Sequence, residues 1–354
     1  MPDEITWITD PVPAPSEADR AAARQRQTEL AKPPGSLGVL EDLVVTLAGL
    51  QATPLPRADC VPVVVFAADH GVAAQQVSPY PASVTVAMLK TFVAGGSAIA
   101  VLARELGLKL TVIDAGTLAA DPVAGVLTDK PCCGTRDLSL GPAMSEAELA
   151  HALAAGRRGV MRVSNGADLL VLGEMGIANT TAAAAVAAVI LRLPARDLVG
   201  AGTGLDTDGI RHKEMIVTRA LAVNDLAGGE ADAMTALICV GGLEIAALTG
   251  AIIAAAQAGV AVLVDGFIVS VAALAACRIV PAVRPWLIFS HASAEQGHAR
   301  VLAALDARPI ATLGLRLGEG SGAAIALPLV RLACALHRNM ATLATAGIAE
   351  PVKG

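Results

Sequence analysis

A glutamate between two glycines is the strongest candidate for acid–base chemistry in this sequence. Glu319 lies in the segment 313–324 (LGLRLGEGSGAA), just before the last long helical stretch. A carboxyl group in an apolar, water-poor pocket has a raised pKa, so its ionised form can accept a proton from a weakly acidic N–H group. The same spacing fits a glutamate in the first turn of a helix, where its charge favours the helix dipole. The spacing alone leaves both interpretations open.

The segment 173–181 (GEMGIANTT) combines glycines with polar side chains at a predicted helix start. Two glycines let a ligand approach the backbone closely, and Asn179, Thr180 and Thr181 supply hydrogen-bond donors. Helix N-termini also carry free N–H groups and a partial positive charge, which favour a phosphate. The segment predicts a phosphate-binding loop or, equally well from its residues alone, a tight turn with an ordinary helix cap.

A second glycine-rich loop, 200–209 (GAGTGLDTDG), is followed by Lys213. A dinucleotide fingerprint would need glycine at position 205, where leucine stands, and a suitably placed acidic residue is missing after a following strand. The loop therefore favours a phosphomonoester, whose charge a lysine can bind, over a nicotinamide dinucleotide. An ordinary surface lysine is the alternative for Lys213.

His291, Glu295 and His298 have a spacing that imitates a set of metal ligands. The HExxH pattern is absent, and the sequence identifies no third ligand. We therefore expect these side chains to be hydrogen-bonded or solvated, with no metal bound.

Six short apolar runs, each followed by a small or polar residue, predict the elements that position these side chains. The runs are 63–66, 110–113, 169–172, 198–199, 260–264 and 286–289. Apolar runs without alternation are typical of strands buried on both faces, and the intervening segments are long enough for crossover helices. Helix starts are predicted at Ser145 with Glu148, at Ser293 with Gln296, and at Asn179 or Thr180. The pattern predicts an α/β fold with a doubly wound, mainly parallel sheet, whose ligands bind at the carboxyl ends of the strands.

The two ends of the chain have a different pattern. Residues 17–31, 40–50 and 323–346 are typical of helices without strands between them. We expect both ends to pack together as a small helical unit beside the sheet.

The composition is apolar but does not indicate a membrane protein. Hydrophobic residues make up 54% of the 354 residues, charged residues make up 16%, and the mean hydropathy is +0.60. The longest uncharged stretch, 245–264, is broken by Thr249, Gly250, Gln257 and Gly259 and is rich in alanine, so it predicts a helix and a short strand.

Charge and cysteine usage exclude further classes. A net charge of −6 and only two tryptophans, one tyrosine and four phenylalanines disfavour a nucleic-acid partner. No secretory signal pattern is visible at the N-terminus, so we expect a cytoplasmic protein. The six cysteines form no CxxC pair and are expected to be buried, reduced thiols.

Along nearly its whole length the sequence resembles the nicotinate-nucleotide–dimethylbenzimidazole phosphoribosyltransferases. The segments that carry the resemblance are KPPGSLGVLEDL (32–43), AADHGV (67–72), TVIDAG (111–116), GPAMS (141–145), GEMGIANTT (173–181), VGGLEIAALTG (240–250), VLVDGFI (262–268), ACRIVPAVRPWLI (276–288), SHASAEQGH (290–298) and RLGEGSGAA (316–324). The resemblance implies a homodimer with a large α/β domain over 55–315 and a small helical domain from 1–54 and 316–354. It implies transfer of phosphoribose from nicotinate mononucleotide to 5,6-dimethylbenzimidazole, without a metal or other cofactor.

The resemblance also implies roles for individual residues. Glu319 matches the catalytic base of the family. The residues that match the nucleotide-phosphate site are Glu174, Gly176, Asn179, Thr180, Gly202, Lys213 and Ser293. The residues that match the benzimidazole pocket are Tyr80, Met88 and Leu317. Some relatives carry a polar residue where Met88 stands, so the preferred acceptor base stays open.

Two other functions remain to be distinguished. A nucleotide-binding protein without catalysis would share the phosphate loop but would have no need of a base such as Glu319. A nicotinamide-dependent oxidoreductase is suggested only by the glycines of 200–204, and the missing fingerprint glycine disfavours it.

Overall fold

Strands form where the sequence is apolar without alternation. In the computed structural model, which describes residues 3–228 and 231–348, the main sheet has six strands. These are β1 (Val63–Ala68), β2 (Leu110–Gly116), β3 (Leu127–Thr128), β4 (Leu170–Met175), β5 (Val262–Val264) and β6 (Leu287–Phe289). Every residue of β1 is buried although its side chains alternate between the two faces, so both faces of the sheet are covered.

All neighbouring strands are parallel, in the order β3-β2-β1-β4-β5-β6. Successive strands extend the sheet in one direction from β1 to β3 and in the other direction from β4 to β6, so the direction switches between β1 and β4. The carboxyl ends of β1 and β4 therefore border a crevice of the kind in which α/β proteins bind ligands. A second, two-stranded parallel sheet joins β7 (His291–Ala292) to β8 (Ala311–Thr312). The predicted doubly wound α/β class is confirmed.

Twelve α-helices surround the sheet in the part of the chain that the structure describes. They are α1 (Glu17–Glu29), α2 (Val39–Leu50), α3 (Ser83–Val93), α4 (Ala98–Leu106), α5 (Glu146–Met161), α6 (Asn179–Leu191), α7 (Thr207–Val223), α8 (Ala233–Val240), α9 (Leu243–Gln257), α10 (Phe267–Ile279), α11 (His298–Ala304) and α12 (Ser321–Asn339). Helices α5 and α9 pack unusually closely, because Gly250 of α9 lies directly against the backbone of Leu153. A glycine at this contact lets the two helix backbones approach closely.

One of the six predicted strands is wrong. Residues Leu198 and Val199 are buried, but they follow a short 3-10 helix (Ala195–Asp197) and pair with no strand. The sixth strand is β3, which has two exposed residues in the irregular segment 116–142 and therefore no apolar run to reveal it.

The capping predictions have mixed outcomes. Ser145 accepts a hydrogen bond from Glu148 N, and the Glu148 side chain accepts one from Ser145 N, as the capping box predicts. The second box is wrong, because α11 begins only at His298 and the Ser293 hydroxyl accepts instead from Glu295 N.

The chain ends meet, as the sequence predicts. Helix α12 packs against α2, α2 packs against α1, and Arg26 Nε donates to the carbonyl oxygen of His337 at 2.6 Å. The last helix ends at Asn339, earlier than predicted, and the chain beyond it pairs Thr342 with Leu30. The division into domains stays a prediction, and its terminal residues 1–2 and 349–354 lie outside the described part.

One long apolar segment, Ser83–Leu106, is broken in two. It has 24 residues, and an 18-residue window within it has a mean hydropathy of 1.8, enough by length and composition to cross a bilayer. It forms two helices, α3 and α4, of 11 and 9 residues, and Ser97 caps the second by accepting from Ala100 N. Each helix is shorter than the roughly 20 residues that a membrane span needs.

The cysteines differ from expectation in their burial. All six are free thiols, but only Cys334 is buried, and Cys60 and Cys133 are exposed.

The capping box at α5 gives a first testable prediction. Replacing Ser145 with alanine removes the acceptor for Glu148 N and should lower the free energy of unfolding by about 1 kcal/mol. Urea unfolding of the purified variant measures the change. The matched control is Ser36→Ala, because Ser36 is exposed and its hydroxyl makes no hydrogen bond within the described residues. Equal stability of the two variants would show that the box contributes nothing.

Candidate active site

A buried aspartate at the end of β5 holds the glycine-flanked loop in place. Asp265 Oδ2 accepts from Gly320 N at 3.1 Å, and Oδ1 accepts from Ala323 N at 2.9 Å. These donors are among the free N–H groups at the start of α12, where a carboxylate is favoured. Burial raises the pKa of Asp265 to about 6, although its backbone N–H donors oppose the rise.

The loop that Asp265 holds has a rare backbone conformation. Gly318, Glu319 and Gly320 have φ angles of +88°, +64° and +83°, so three successive residues are left-handed. This conformation costs little for glycine but is strained for glutamate. Gly173 of β4 allows the loop to lie directly on the sheet, because a Cβ atom there would overlap the carbonyl group of Glu319. Glu319 precedes α12, so the interpretation as a first-turn glutamate is wrong.

The carboxylate of Glu319 reaches a different helix. Its Oε2 accepts from Ile99 N at 3.1 Å, at the N-terminus of α4, and Ala98 N also donates to it. Burial raises the pKa of Glu319, the nearby charge of Asp265 raises it further, and the two N–H donors oppose the rise. Glu319 is thus a buried carboxylate with increased basicity, held at both its backbone and its side chain.

A second buried carboxyl group, Glu174, lies beside the first. Burial raises its pKa to about 8, against a hydrogen bond from Asn179 that lowers it, and the charges of Glu244, Asp265 and Glu319 add to the rise. The Nδ2 group of Asn179 donates to Glu174 Oε2. The position of Asn179 had predicted that its side chain caps α6, but no side-chain cap is formed at this helix start. At neutral pH Glu174 therefore carries a proton.

Lys213 is fully buried behind the second glycine loop. Its Nζ donates to Thr180 Oγ1 at 2.7 Å and lies 3.5 Å from the carbonyl oxygen of Gly200. Burial lowers the pKa of Lys213 to about 8, and the charge of Glu295 opposes this shift. The interpretation as a surface lysine is wrong. The charge of Lys213 acts on the site through Thr180 and the turn at Gly202.

The side chains of Glu174, Asp265 and Glu319 border one cavity of about 330 Å³. This volume is within the range of small-molecule sites. Of the residues predicted from the sequence, those that line it are Glu174, Gly176, Asn179, Thr180, Gly202, Ser293, Tyr80, Met88, Leu317 and Glu319. Lys213 and Thr181, which were also predicted to bind the phosphate, do not border the cavity.

Four further ionisable residues line the cavity and were not predicted from the sequence as parts of this site. They are Asp265, His291, Glu295 and Arg316. Arg316 Nη1 donates to the Gly202 carbonyl oxygen at 2.8 Å and so joins the segment 313–324, which contains Glu319, to the glycine-rich loop 200–209. The position of Asp265 at a strand end was the only available signal, and Arg316 gave none beyond its neighbour Glu319.

Two of the three side chains with metal-like spacing, His291 and His298, form hydrogen bonds. His298 Nδ1 accepts from Ser293 N at 2.8 Å, and Nε2 lies 2.9 Å from the Ser270 hydroxyl, so both ring nitrogens of His298 are occupied. Within the described residues, no group of three or more His, Cys, Asp or Glu side chains is arranged to hold a metal ion. The loop at 200–204 also follows no strand, which removes the basis for a dinucleotide fold there.

Comparison with known proteins gives the class of this fold and site. A sequence model of a phosphoribosyltransferase family matches residues 12–348. A nicotinate-nucleotide–dimethylbenzimidazole phosphoribosyltransferase of Bradyrhizobium diazoefficiens is 54% identical over 97% of this chain and 98% of its own. One from Pseudomonas putida is 53% identical over 98% of both chains. The crystal structure of CobT from Thermus thermophilus superposes with a TM-score of 0.90 at 41% identity, covering 94% of this chain and all of that one.

The chain is therefore a phosphoribosyltransferase by class. It belongs to the nicotinate-nucleotide–dimethylbenzimidazole phosphoribosyltransferase family.

The raised pKa of Glu174 predicts a change of stability with pH. The folded chain keeps this proton up to about pH 8, whereas the ordinary glutamate value is 4.5, so between these values folding takes up a proton. The contribution of Glu174 to the free energy of unfolding therefore falls as the pH rises through this window. Glu174→Gln removes the titrating group. Between pH 5 and pH 8 its free energy of unfolding should therefore rise by at least ~2 kcal/mol relative to that of the wild type.

Urea unfolding of both proteins at pH 5, 6.5 and 8 measures this difference. Glu105→Gln, at an exposed position of α4, is the matched control and should follow the wild type at every pH. A pH-independent difference between Glu174→Gln and the wild type would contradict the assignment of a protonated Glu174.

Proposed function

We propose that this protein transfers phosphoribose from nicotinate mononucleotide to 5,6-dimethylbenzimidazole or a related base. The products are α-ribazole 5′-phosphate and nicotinate. The observation that carries the proposal is Glu319, a buried carboxylate with a raised pKa, held in a strained backbone conformation at the edge of the cavity. Strain and burial at one acidic residue are typical of a catalytic group.

The chemistry of the substrates fits such a base. The nicotinate of the nucleotide is a positively charged pyridinium, which is already a good leaving group. Cleavage of its bond to ribose develops oxocarbenium-like charge on the sugar. The incoming base attacks the opposite face with its ring nitrogen, which inverts the β-linkage to α, and Glu319 accepts the proton from its N–H group. Enclosure of the reacting groups within the cavity limits the access of water to the ribosyl carbon.

The nucleotide phosphate is assigned to the side of the cavity formed by 173–181 and the turn at Gly202. The residues proposed to bind the nucleotide are Glu174, Gly176, Asn179, Thr180, Gly202, Lys213 and Ser293. Support comes from the buried Lys213, whose ammonium group is 2.7 Å from the Thr180 hydroxyl and places positive charge beneath the loop. Arg316 adds an exposed guanidinium on the same side.

The acceptor base is assigned to the opposite wall. Tyr80, Met88 and Leu317 are proposed to contact it, and all three border the cavity. Val84 of α3 and Ile177 line the same space, so an aromatic base would pack mainly on aliphatic side chains. Ser78 and Thr203 are joined by their hydroxyl groups at 3.0 Å, which connects the Tyr80 loop to the nucleotide side.

We also propose that the enzyme is a cytoplasmic homodimer. Helix α12 presents Ile325, Leu329 and Leu332, all exposed, on one face. An exposed apolar stripe of this kind is typical of a subunit contact. Two exposed free thiols, Cys60 and Cys133, are suited to a reducing compartment.

Replacing Glu319 tests the proposed function. Glu319→Gln keeps the shape of the side chain but cannot accept the proton, so kcat should fall by about two to four orders of magnitude. Binding of nicotinate mononucleotide should change little. The rate of nicotinate release from nicotinate mononucleotide and dimethylbenzimidazole is the measurement, and Glu105→Gln on α4 is the control that keeps full activity.

Two results would count against the proposal. Near-wild-type turnover by Glu319→Gln would remove Glu319 as the base. Saturable binding of nicotinate mononucleotide without product, over hours and with several acceptor bases, would favour a non-catalytic nucleotide-binding protein. The pH profile adds a check, because kcat/KM should fall as Glu319 becomes protonated, at a pH above the ordinary glutamate value.

A further inference from the structure

His291 is a buried histidine whose tautomer can be read from its neighbours. It lies in β7, is 3% exposed, and borders the cavity. Ser290 Oγ donates its single proton to the carbonyl oxygen of Val264 at 2.6 Å, since a carbonyl can only accept. The same hydroxyl oxygen is 3.0 Å from His291 Nδ1. That contact is therefore a hydrogen bond in which Nδ1–H donates and the serine oxygen accepts.

A nearby charge favours the same tautomer. Asp265 Oδ1 lies 3.9 Å from His291 Nδ1, and a carboxylate at this distance stabilises a proton on that nitrogen. Burial lowers the pKa of His291 below its usual value, so the ring is neutral at physiological pH. A neutral ring with a proton on Nδ1 has an unprotonated Nε2, which can only accept a hydrogen bond.

The acceptor at Nε2 has no partner among residues 3–228 and 231–348. Its surroundings are the glycines of neighbouring loops, and a Cβ atom on Gly266 would lie 3.6 Å from Nε2. A Cβ atom on Gly322 would lie 2.8 Å from the same nitrogen, so the ring is packed against the start of α12. Because His291 borders the cavity, this acceptor is available to a ligand that offers a hydrogen-bond donor.

The substrates of the proposed function offer few groups that could donate to this nitrogen. The phosphate and the nicotinate carboxylate are acceptors at neutral pH, and the pyridinium ring has no N–H group. The remaining donors are the two ribose hydroxyl groups and the N–H group of the acceptor base, which the proposed mechanism assigns to Glu319. We propose that His291 Nε2 accepts a hydrogen bond from a ribose hydroxyl group of the nucleotide and so makes the enzyme select ribonucleotides.

This inference rests on the proposed function and is tested with 2′-deoxy and 3′-deoxy analogues of nicotinate mononucleotide. The measured quantity is the ratio of kcat/KM for the natural nucleotide to that for each analogue. The wild type should prefer the natural nucleotide by at least about tenfold for one of the two hydroxyl groups, because the analogue leaves Nε2 unpaired.

Two substitutions separate the role of Nε2 from that of the fold. His291→Asn keeps a donor for Ser290 Oγ but has no atom at the position of Nε2, so its ratio should fall to near one. His291→Gln places an amide oxygen near that position and should recover part of the preference. The matched control is His337→Asn on α12, another buried histidine, which is bonded to Gln27 and Pro54 outside the cavity and should keep the wild-type ratio.

The outcomes distinguish this inference from the proposed function. An unchanged ratio in His291→Asn, or a wild type that does not discriminate either analogue, would overturn the role of His291 while leaving the transferase activity intact. If the wild type releases no nicotinate at all, the proposed function fails. Calorimetric binding of the nucleotide and its analogues then still decides whether Nε2 contacts a ribose hydroxyl. Should His291→Asn not fold, the wild-type and His291→Gln ratios carry the test.

Discussion

The buried carboxylate of Asp265 is the constraint on which this site depends. It lies at the end of β5 and accepts hydrogen bonds from Gly320 N and Ala323 N, which joins the sheet to the start of α12. A charge in such a buried position is tolerated because the free N–H groups of a helix N-terminus surround it. By fixing Gly320, Asp265 also fixes the left-handed conformation of Glu319, whose carboxylate then meets the N-terminus of α4.

Three of the four carboxyl groups that border the cavity, those of Glu174, Asp265 and Glu319, differ in their protonation because their surroundings differ. Glu174 has few donors and retains its proton near neutral pH, whereas Asp265 is bound to backbone N–H groups. Glu319 lies between these cases, since burial increases its basicity while Ile99 N stabilises its charge. In the proposed reaction both the pyridinium of the substrate and the developing oxocarbenium ion are positive. The carboxylates of Asp265 and Glu319 place negative charge at the cavity, which stabilises such positive charge.

The sequence predicts the fold better than the contacts of the site. Long buried strands such as β1 follow from apolar runs without alternation, but β3 has two exposed residues and leaves no such pattern. Glycines flanking Glu319 indicate a special backbone, and the structure shows its left-handed φ angles. Contacts between distant segments could not be predicted. The contact of Glu319 with Ile99 N, the burial of Lys213 and the free nitrogen of His291 all depend on segments that meet only in the folded chain.

In the proposed reaction, Asp265 acts on the chemistry by holding Glu319 in position. A double-mutant cycle with Asp265→Asn and Glu319→Gln tests it directly, with kcat as the readout. Residues that act as a unit have strongly non-additive effects. We expect Asp265→Asn to lose much of the activity in the presence of Glu319, and the double variant to be no slower than Glu319→Gln alone. Multiplication of the two losses in the double variant would contradict the account.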